Sequence, residues 1–258
     1  QRFGHSPGCE RPAGTEGPVS CFTVEIADEK RIIAQASQDA IAFQGDIMHN
    51  KFFIIDGEWV WAGSANISDS DVGGYNANVV AVLNSPDLAR RYTQEFEQMQ
   101  AGRFHREKKA YPEPPIALPG GGTVQVLFSP QENIENTLYA MISAARSQIN
   151  VATFYLTNKR ITQALIKARE RGVAVRVMLD ATAAQNEYSK HLILRQAGIP
   201  LKVENWGGKM HAKAASFDGQ RLLMGSMNWT SAGMQRNDEN SLIFEDTPQL
   251  VQGYDRDY

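Results

Sequence analysis

Three things are scarce in this 258-residue chain. Cysteine is the first. Cys9 and Cys21 are the only two, too few for a disulfide scaffold or for a four-cysteine zinc or iron–sulfur site. Long apolar runs are the second. None approaches the roughly 18 residues that a membrane-crossing helix requires. Excess charge is the third. The net charge is −3; residues 1–119 hold 11 Lys+Arg against 16 Asp+Glu, and residues 120–258 hold 15 against 13. Neither half grips a polyanion by bulk charge, so a phosphate backbone would have to be met in a local cleft. No signal-peptide pattern follows Gln1. What is present is a globular composition, 42% hydrophobic, which excludes wholesale disorder.

Residues 1–20 are rich in Gly and Pro and read as a loop or tail. A Cys9–Cys21 disulfide would close a surface loop and suit a secreted or periplasmic protein; two free thiols are the alternative. Residues 111–122 hold four prolines and end in three glycines, which disfavours helix and central strand alike and marks a linker. The segment before it, 21–110, and the one after it, 123–258, read as two units. In the second, the spacing predicts strands over 123–128, 149–156, 173–179 and 199–203. Helices are predicted over 134–145, 161–171 and 191–197, with Gly172 and Gly198 as stops. Strands alternating with helices imply a mixed or parallel sheet covered by helices.

The two units repeat one pattern. Met48-His49-Asn50-Lys51, four residues, Asp56, six residues, Gly63-Ser64-Ala65-Asn66 is matched by Met210-His211-Ala212-Lys213, Asp218 and Gly225-Ser226-Met227-Asn228. The histidines lie 162 residues apart. The opening strands and helices of a repeat are missing before His49, and the last helix stops at Tyr258, as in a chain trimmed at both ends. Alternate residues of a strand share a face, so each His points with its Lys. Asp56 and Asp218 lie past the short strands and read as structural. Gly63 and Gly225 allow close backbone approach. Ser64, Asn66, Ser226 and Asn228 offer neutral hydrogen bonds.

Brought together about a pseudo-twofold axis, the copies supply two imidazoles, two ammonium groups and four neutral polar groups. A phosphodiester fits such a site. The lysines neutralise its oxygens; one His attacks phosphorus while the other protonates the leaving oxygen. No metal or cofactor is needed, since lysine supplies the positive clamp, and the acidic clusters that hold Mg²⁺ are missing from the sequence.

This doubled His-x-Lys-x4-Asp pattern resembles the phospholipase D superfamily. The resemblance implies an α/β fold of two similar repeats, each a mixed β-sheet flanked by helices, packed about a pseudo-twofold axis with one shared active site. It implies that His49, Lys51, Asn66, His211, Lys213 and Asn228 line that site, and that the reaction passes through a phosphohistidine. The second repeat is similar to the small bacterial nucleases of the superfamily in Thr157-Asn158-Lys159, Arg171–Arg176, Ala197-Gly198-Ile199-Pro200 and Asn237–Ser241. Glu239 matches the family's acidic residue that orients a catalytic His. Aligning Asn78 with Asn240 sets Ala77 opposite Glu239, which leaves the first repeat without an equivalent carboxylate. The resemblance then implies His49 as nucleophile supported by Glu239, with His211 as general acid; the reverse assignment stays open.

Other residues have blander readings. His5, His105 and His191 lack repeat partners and read as surface or helix-face residues. Trp59 and Trp61 read as core. Trp206 and Trp229, beside the second motif, are candidate substrate contacts, with plain packing as the alternative. Five basic residues over 159–171 suggest a solvated helix face or a backbone-tracking patch. Three functions compete: a metal-independent nuclease on DNA or RNA, a phospholipase D or phosphatidyltransferase on phospholipid, and a catalytically silent nucleic-acid-binding module. One chain carries both motifs, so a monomer suffices.

Overall fold

A computed structural model describes residues 2–4, 23–25, 45–204 and 207–257. Cys9, Cys21, His5 and Trp206 lie outside the described residues, as does the strand expected at Asp39–Phe43. In chain order the strands are β1 (Arg2–Gly4), β2 (Thr23–Glu25), β3 (Phe52–Ile55), β4 (Trp59–Gly63), β5 (Val80–Asn84), β6 (Ile116–Ala117), β7 (Thr123–Ser129), β8 (Gln148–Thr153), β9 (Ala174–Asp180), β10 (Leu201–Glu204), β11 (Lys213–Phe217), β12 (Arg221–Gly225) and β13 (Glu239–Glu245). The helices are α1 (Asp69–Val72), α2 (Pro86–Gln100), α3 (Ile134–Ala144), α4 (Lys159–Glu170), α5 (Ala181–Ala184), α6 (His191–Gln196), α7 (Ser231–Gln235) and α8 (Pro248–Asp257).

Local chemistry sets these boundaries. Ser85 caps α2 by accepting from Leu88 N–H, and Pro86 opens it, where a missing N–H costs nothing. Asn158 caps α4 through Ile161 N–H. Gly172 follows that helix at φ +92°, a conformation that a Cβ would strain. The linker is less irregular than its prolines imply: Ile116 and Ala117 form an edge strand on β7, and Pro112, Pro114, Pro115 and Pro119 fall outside those two residues.

Two sheets result. The larger has the order β10-β9-β8-β11-β12-β13-β7-β6; the β10–β9 and β9–β8 pairs are parallel and the others antiparallel. The smaller is the antiparallel β3-β4-β5. One core lies between the sheets. Val60, Ala62, Leu88 and Tyr92 of the first repeat meet Val126, Phe128, Leu222, Met224, Leu242 and Phe244 of the second. The Tyr92 ring stands edge-on to Phe52 and Phe128 at 4.8 and 5.2 Å. A second core lies on the other face of the large sheet, under α3 and α4.

The smaller sheet has no such second layer among the described residues. Phe53, Ile55, Ile67, Val72 and Val82 are exposed. Shifted by 162 positions, or by 161 for Val82, they fall on Ala215, Phe217, Trp229, Met234 and Ile243, all buried under the helices of the second repeat. This corrects the expectation of a buried Trp59 and Trp61: Trp59 is exposed and Trp61 half-buried. Alternating burial along β3 and β5 shows one face used and one free.

The same symmetry predicts unequal costs of mutation. Phe217 is 0% exposed and Ile55, its counterpart, 49%. In urea denaturation of this chain, Phe217→Ala should cost about 3–5 kcal/mol and Ile55→Ala under about 1 kcal/mol. Equal losses would contradict the uncovered face.

Candidate active site

His49 and Lys51 lie just before β3, and His211 just before β11, which Lys213 opens. Two pairs of backbone hydrogen bonds knit these segments to the opposite repeat, with Asp238 N–H donating to Ile47 O at 2.9 Å and Ala77 N–H to Lys209 O at 2.8 Å in addition to one bond from each histidine. His49 N–H donates to Asp238 O at 2.9 Å, and His211 N–H donates to Ala77 O at 2.8 Å. Each motif segment thereby runs beside the segment that leads into the other repeat's last strand. Gly63 and Gly225 make this possible at close quarters: a Cβ on either would stand 2.3 Å from Val79 O or 2.2 Å from Asn240 O.

The histidines receive different partners. His49 Nδ1 lies 2.9 and 2.8 Å from the two carboxylate oxygens of Glu239, which is fully buried. Ser226 donates to Glu239 Oε2 at 2.6 Å and accepts from Asn240 N–H. His211 Nδ1 lies 3.1 Å from Asn78 Oδ1, which also accepts from the Ser64 hydroxyl at 2.8 Å; that hydroxyl accepts in turn from Val79 N–H. Asn78 therefore occupies the place of Glu239, and the expected pairing of Ala77 with Glu239 is corrected by one residue. The segment from Ser64 to Val79 is one residue longer than that from Ser226 to Asn240. The in-register asparagines are Asn76 and Asn237, whose Oδ1 atoms accept from Lys209 N–H and Ile47 N–H.

Each lysine folds back on its own histidine. Lys51 Nζ donates to His49 O at 2.9 Å and Lys213 Nζ to His211 O at 2.7 Å. Both are buried, and burial lowers their pKa values to about 8 for Lys51 and about 7 for Lys213. The Lys51 charge lowers Lys213 further, while Glu239 and Asp71 oppose both shifts. His211 is pushed down to about 3, by burial first and then by Lys213, Lys51 and His49 against the opposing charge of Asp71. Side chains from both repeats thus act on one electrostatic centre. Phe154 lies over it, 5.1 Å from the His211 ring, with Lys209 and Lys213 ammonium groups 5.6 and 5.4 Å from its centroid.

The remaining sequence candidates fall into distinct places. Asn66 is exposed and bound to Asp71, through N–H at 2.8 Å and Nδ2 at 2.6 Å. Asn228 is half-buried, and its Oδ1 has no hydrogen-bond partner among the described residues. Ser64 and Ser226 are fully buried braces of Asn78 and Glu239, not substrate contacts. Trp229 is corrected too: it is buried in the core with Ile134, Leu156 and Met234 and cannot touch substrate. Asp56 and Asp218 sit in hairpin turns at φ +54° and +53°. Asp218 also accepts from Arg146, Ser147 and Gln148 N–H, tying β11 to the start of β8.

Sequence reasoning missed a polar layer behind Glu239. Lys108, fully buried, contacts Glu95 and Ser129 O and lies 2.8 Å from Asp238 Oδ1. His105, expected at the surface, is half-buried; its N–H donates to Asp238 Oδ1 at 2.9 Å, and its Nδ1 lies 2.9 Å from Oδ2. Glu95 also receives Asn50 Nδ2, and Asn50 Oδ1 receives Asn240 Nδ2. The one sequence signal was the placing of charged residues in a helix face, Glu95 of α2, that is otherwise turned to the core.

A cavity of about 520 Å³ adjoins His49, lined in part by Phe52, Trp61, Ile67 and Phe104. In the second repeat the equivalent flank of the motif carries β8, paired through Thr153 with Lys213. The cavity, which Lys51 and Asn66 also line, thus runs along the edge of β3 that has no partner strand among the described residues. No group of three or more His, Cys, Asp or Glu side chains suited to a metal occurs among the described residues.

A family model matches residues 23–100 and 138–258, most of the chain. The chain belongs to the family described as cardiolipin synthase, PLD-like domain. It is 32% identical over 131 residues to the phospholipase D of Rickettsia conorii, a match covering 51% of this chain and 65% of that protein. It is 36% identical over 117 residues to the mitochondrial cardiolipin hydrolase of Mus musculus, covering 45% and 52%. The chain thus spans about half to two thirds of the length of these relatives. The phosphatidylserine synthase of Haemophilus influenzae has a similar fold, with a TM-score of 0.64 at 13% identity over 82% of this chain and 61% of that one.

The lowered lysines make binding by this PLD-like site depend on pH. Above about pH 7 to 8 the free protein must take up protons to offer two ammonium groups. Affinity for an uncleavable, singly charged dialkyl phosphinate should therefore fall between pH 6 and 9. The fall should approach about tenfold per pH unit for each neutral lysine. Calorimetry in two buffers of different ionisation enthalpy reads the proton uptake; a flat affinity with no uptake would contradict these shifts.

Proposed function

We propose that the chain is a metal-independent phosphodiesterase working through a phosphohistidine. The observation that carries this is the joining of both His-Lys pairs at one centre, with one histidine on a carboxylate and the other on an amide. The lysines hold the non-bridging oxygens. The His49 Nε2 lone pair attacks phosphorus, and the bond to the leaving oxygen breaks as that oxygen takes a proton from His211 Nε2. Glu239 supports the positive charge that His49 acquires. A water then gives its proton to His211 while its oxygen bonds phosphorus, and the N–P bond breaks with its electron pair returning to His49. His211 is neutral in the free protein. The phosphodiester's negative charge, set against Lys51 and Lys213, lets it take up its proton, and its amide partner leaves the resulting imidazolium a strong acid.

The substrate we infer is nucleic acid. The exposed Lys209, set over the buried Phe154 ring beside His211, and the half-buried Tyr155 offer a cationic and a stacking group suited to a phosphate and its base. Phospholipid is the second reading, favoured by relatives named phospholipase D and cardiolipin hydrolase.

One experiment separates them: single-stranded DNA, RNA and phosphatidylcholine–cardiolipin vesicles, each incubated with the protein in excess EDTA. DNA or RNA should be cleaved, and His49→Ala should lower turnover by at least about 10³-fold. Phosphatidic acid release with intact nucleic acid would establish the lipid reading. Cleavage of none would sink the phosphodiesterase.

A further inference from the structure

The chain has a carboxylate near His211 that the repeat pattern does not predict. Asp71 lies on α1, and its counterpart by position is Gly233, where a Cβ would stand 2.4 Å from Asn228 O. A side chain is therefore excluded there, and Asp71 belongs to one half of the site only. It is buried and takes four donors: Asn66 N–H and Nδ2 on Oδ2, Asn76 Nδ2 at 2.7 Å and Asn78 Nδ2 at 3.0 Å on Oδ1. Its Oδ2 lies 3.9 Å from His211 Nδ1. Burial alone would raise its pKa; the asparagine donors outweigh that and hold the carboxyl ionised.

An amide can face a histidine with either end, and the two ends impose opposite tautomers. An ionised carboxylate only accepts hydrogen bonds, so Asn78 must turn its NH₂ group to Asp71. Its oxygen then faces His211, where the Ser64 hydroxyl also donates to it. Nδ1 of His211 must consequently carry the hydrogen, and Nε2 is left as the reactive nitrogen.

We propose that Asp71 is a positioning residue that acts through the Asn78 amide to fix the tautomer of His211. It replaces, at one remove, the direct carboxylate that Glu239 gives His49. The catalytic consequence rests on the phosphodiesterase reading; the tautomer does not.

Two variants and their combination test this. In Asp71→Asn, a single amide oxygen cannot serve four donors, and the new NH₂ group opposes them, so Asn78 is freed to turn. Asn78→Asp alone puts two carboxylates about 3 Å apart. The double variant exchanges amide and carboxylate: the carboxylate now at position 78 accepts directly from His211 Nδ1, and the amide now at position 71 donates to that carboxylate. ¹⁵N NMR of the substrate-free protein should show neutral His211 protonated at Nδ1 in the parent and the double variant, and a mixture of tautomers in Asp71→Asn. With the substrate cleaved in the EDTA experiment, Asp71→Asn should lose about 10–100-fold in kcat with KM within about threefold. The double variant should regain at least about fivefold of that loss. An unchanged tautomer in a folded Asp71→Asn protein, or a double variant no better than the single, would overturn the proposal. The second outcome would make Asp71 a loop anchor for Asn66 and Asn76. If no form cleaves any phosphodiester, the functional reading fails and the NMR result still decides this one.

Discussion

Two pairs of backbone hydrogen bonds that cross between the repeats carry the site. His49 N–H to Asp238 O and His211 N–H to Ala77 O set each motif beside the residue that will face it, Glu239 or Asn78. The register there is strict, because shifting by one residue would turn Glu239 from His49 and present its neighbour instead. The buried hydroxyls of Ser64 and Ser226, the close approach at Gly63 and Gly225 and the layer of Lys108, Glu95 and His105 behind Asp238 all serve that register.

The symmetry of backbone is broken in the side chains, and the break follows the chemistry. A residue that bonds phosphorus gains charge and profits from a carboxylate; one that gives up a proton profits from a neutral partner. Burial of the two lysines is costly and depresses both, and the Lys51 charge depresses Lys213 further. A phosphodiester bound as proposed would recover that cost with its negative charge, which suits the site to a bound anion more than to its empty state.

Much of this was legible in the amino-acid order. Local period and capping residues marked α3, α4 and the strands around them, because those elements form from neighbours in sequence. The doubled motif marked His49, Lys51, His211 and Lys213. What escaped depended on distant contacts. The one-residue difference between the Ser64–Val79 and Ser226–Asn240 segments hid the equivalence of Asn78 and Glu239. Asp71 has no repeat partner to draw attention to it. Trp229 follows a motif asparagine, yet its side chain turns into the core, and Trp59 alternates as a core residue would on a sheet that is covered on one face only. Direction and layering are tertiary facts, which periodicity does not encode.

Covalent bonding of His49 to phosphorus is the step on which the proposed chemistry stands or falls. The direct measurement is rapid quenching in alkali during turnover of a substrate labelled with ³²P at the scissile phosphate, followed by peptide mapping. Alkali-stable, acid-labile label on the peptide that contains His49, and none on that containing His211, is the predicted result. Label on His211 would reverse the two roles, and turnover with no labelled protein would contradict the phosphohistidine altogether.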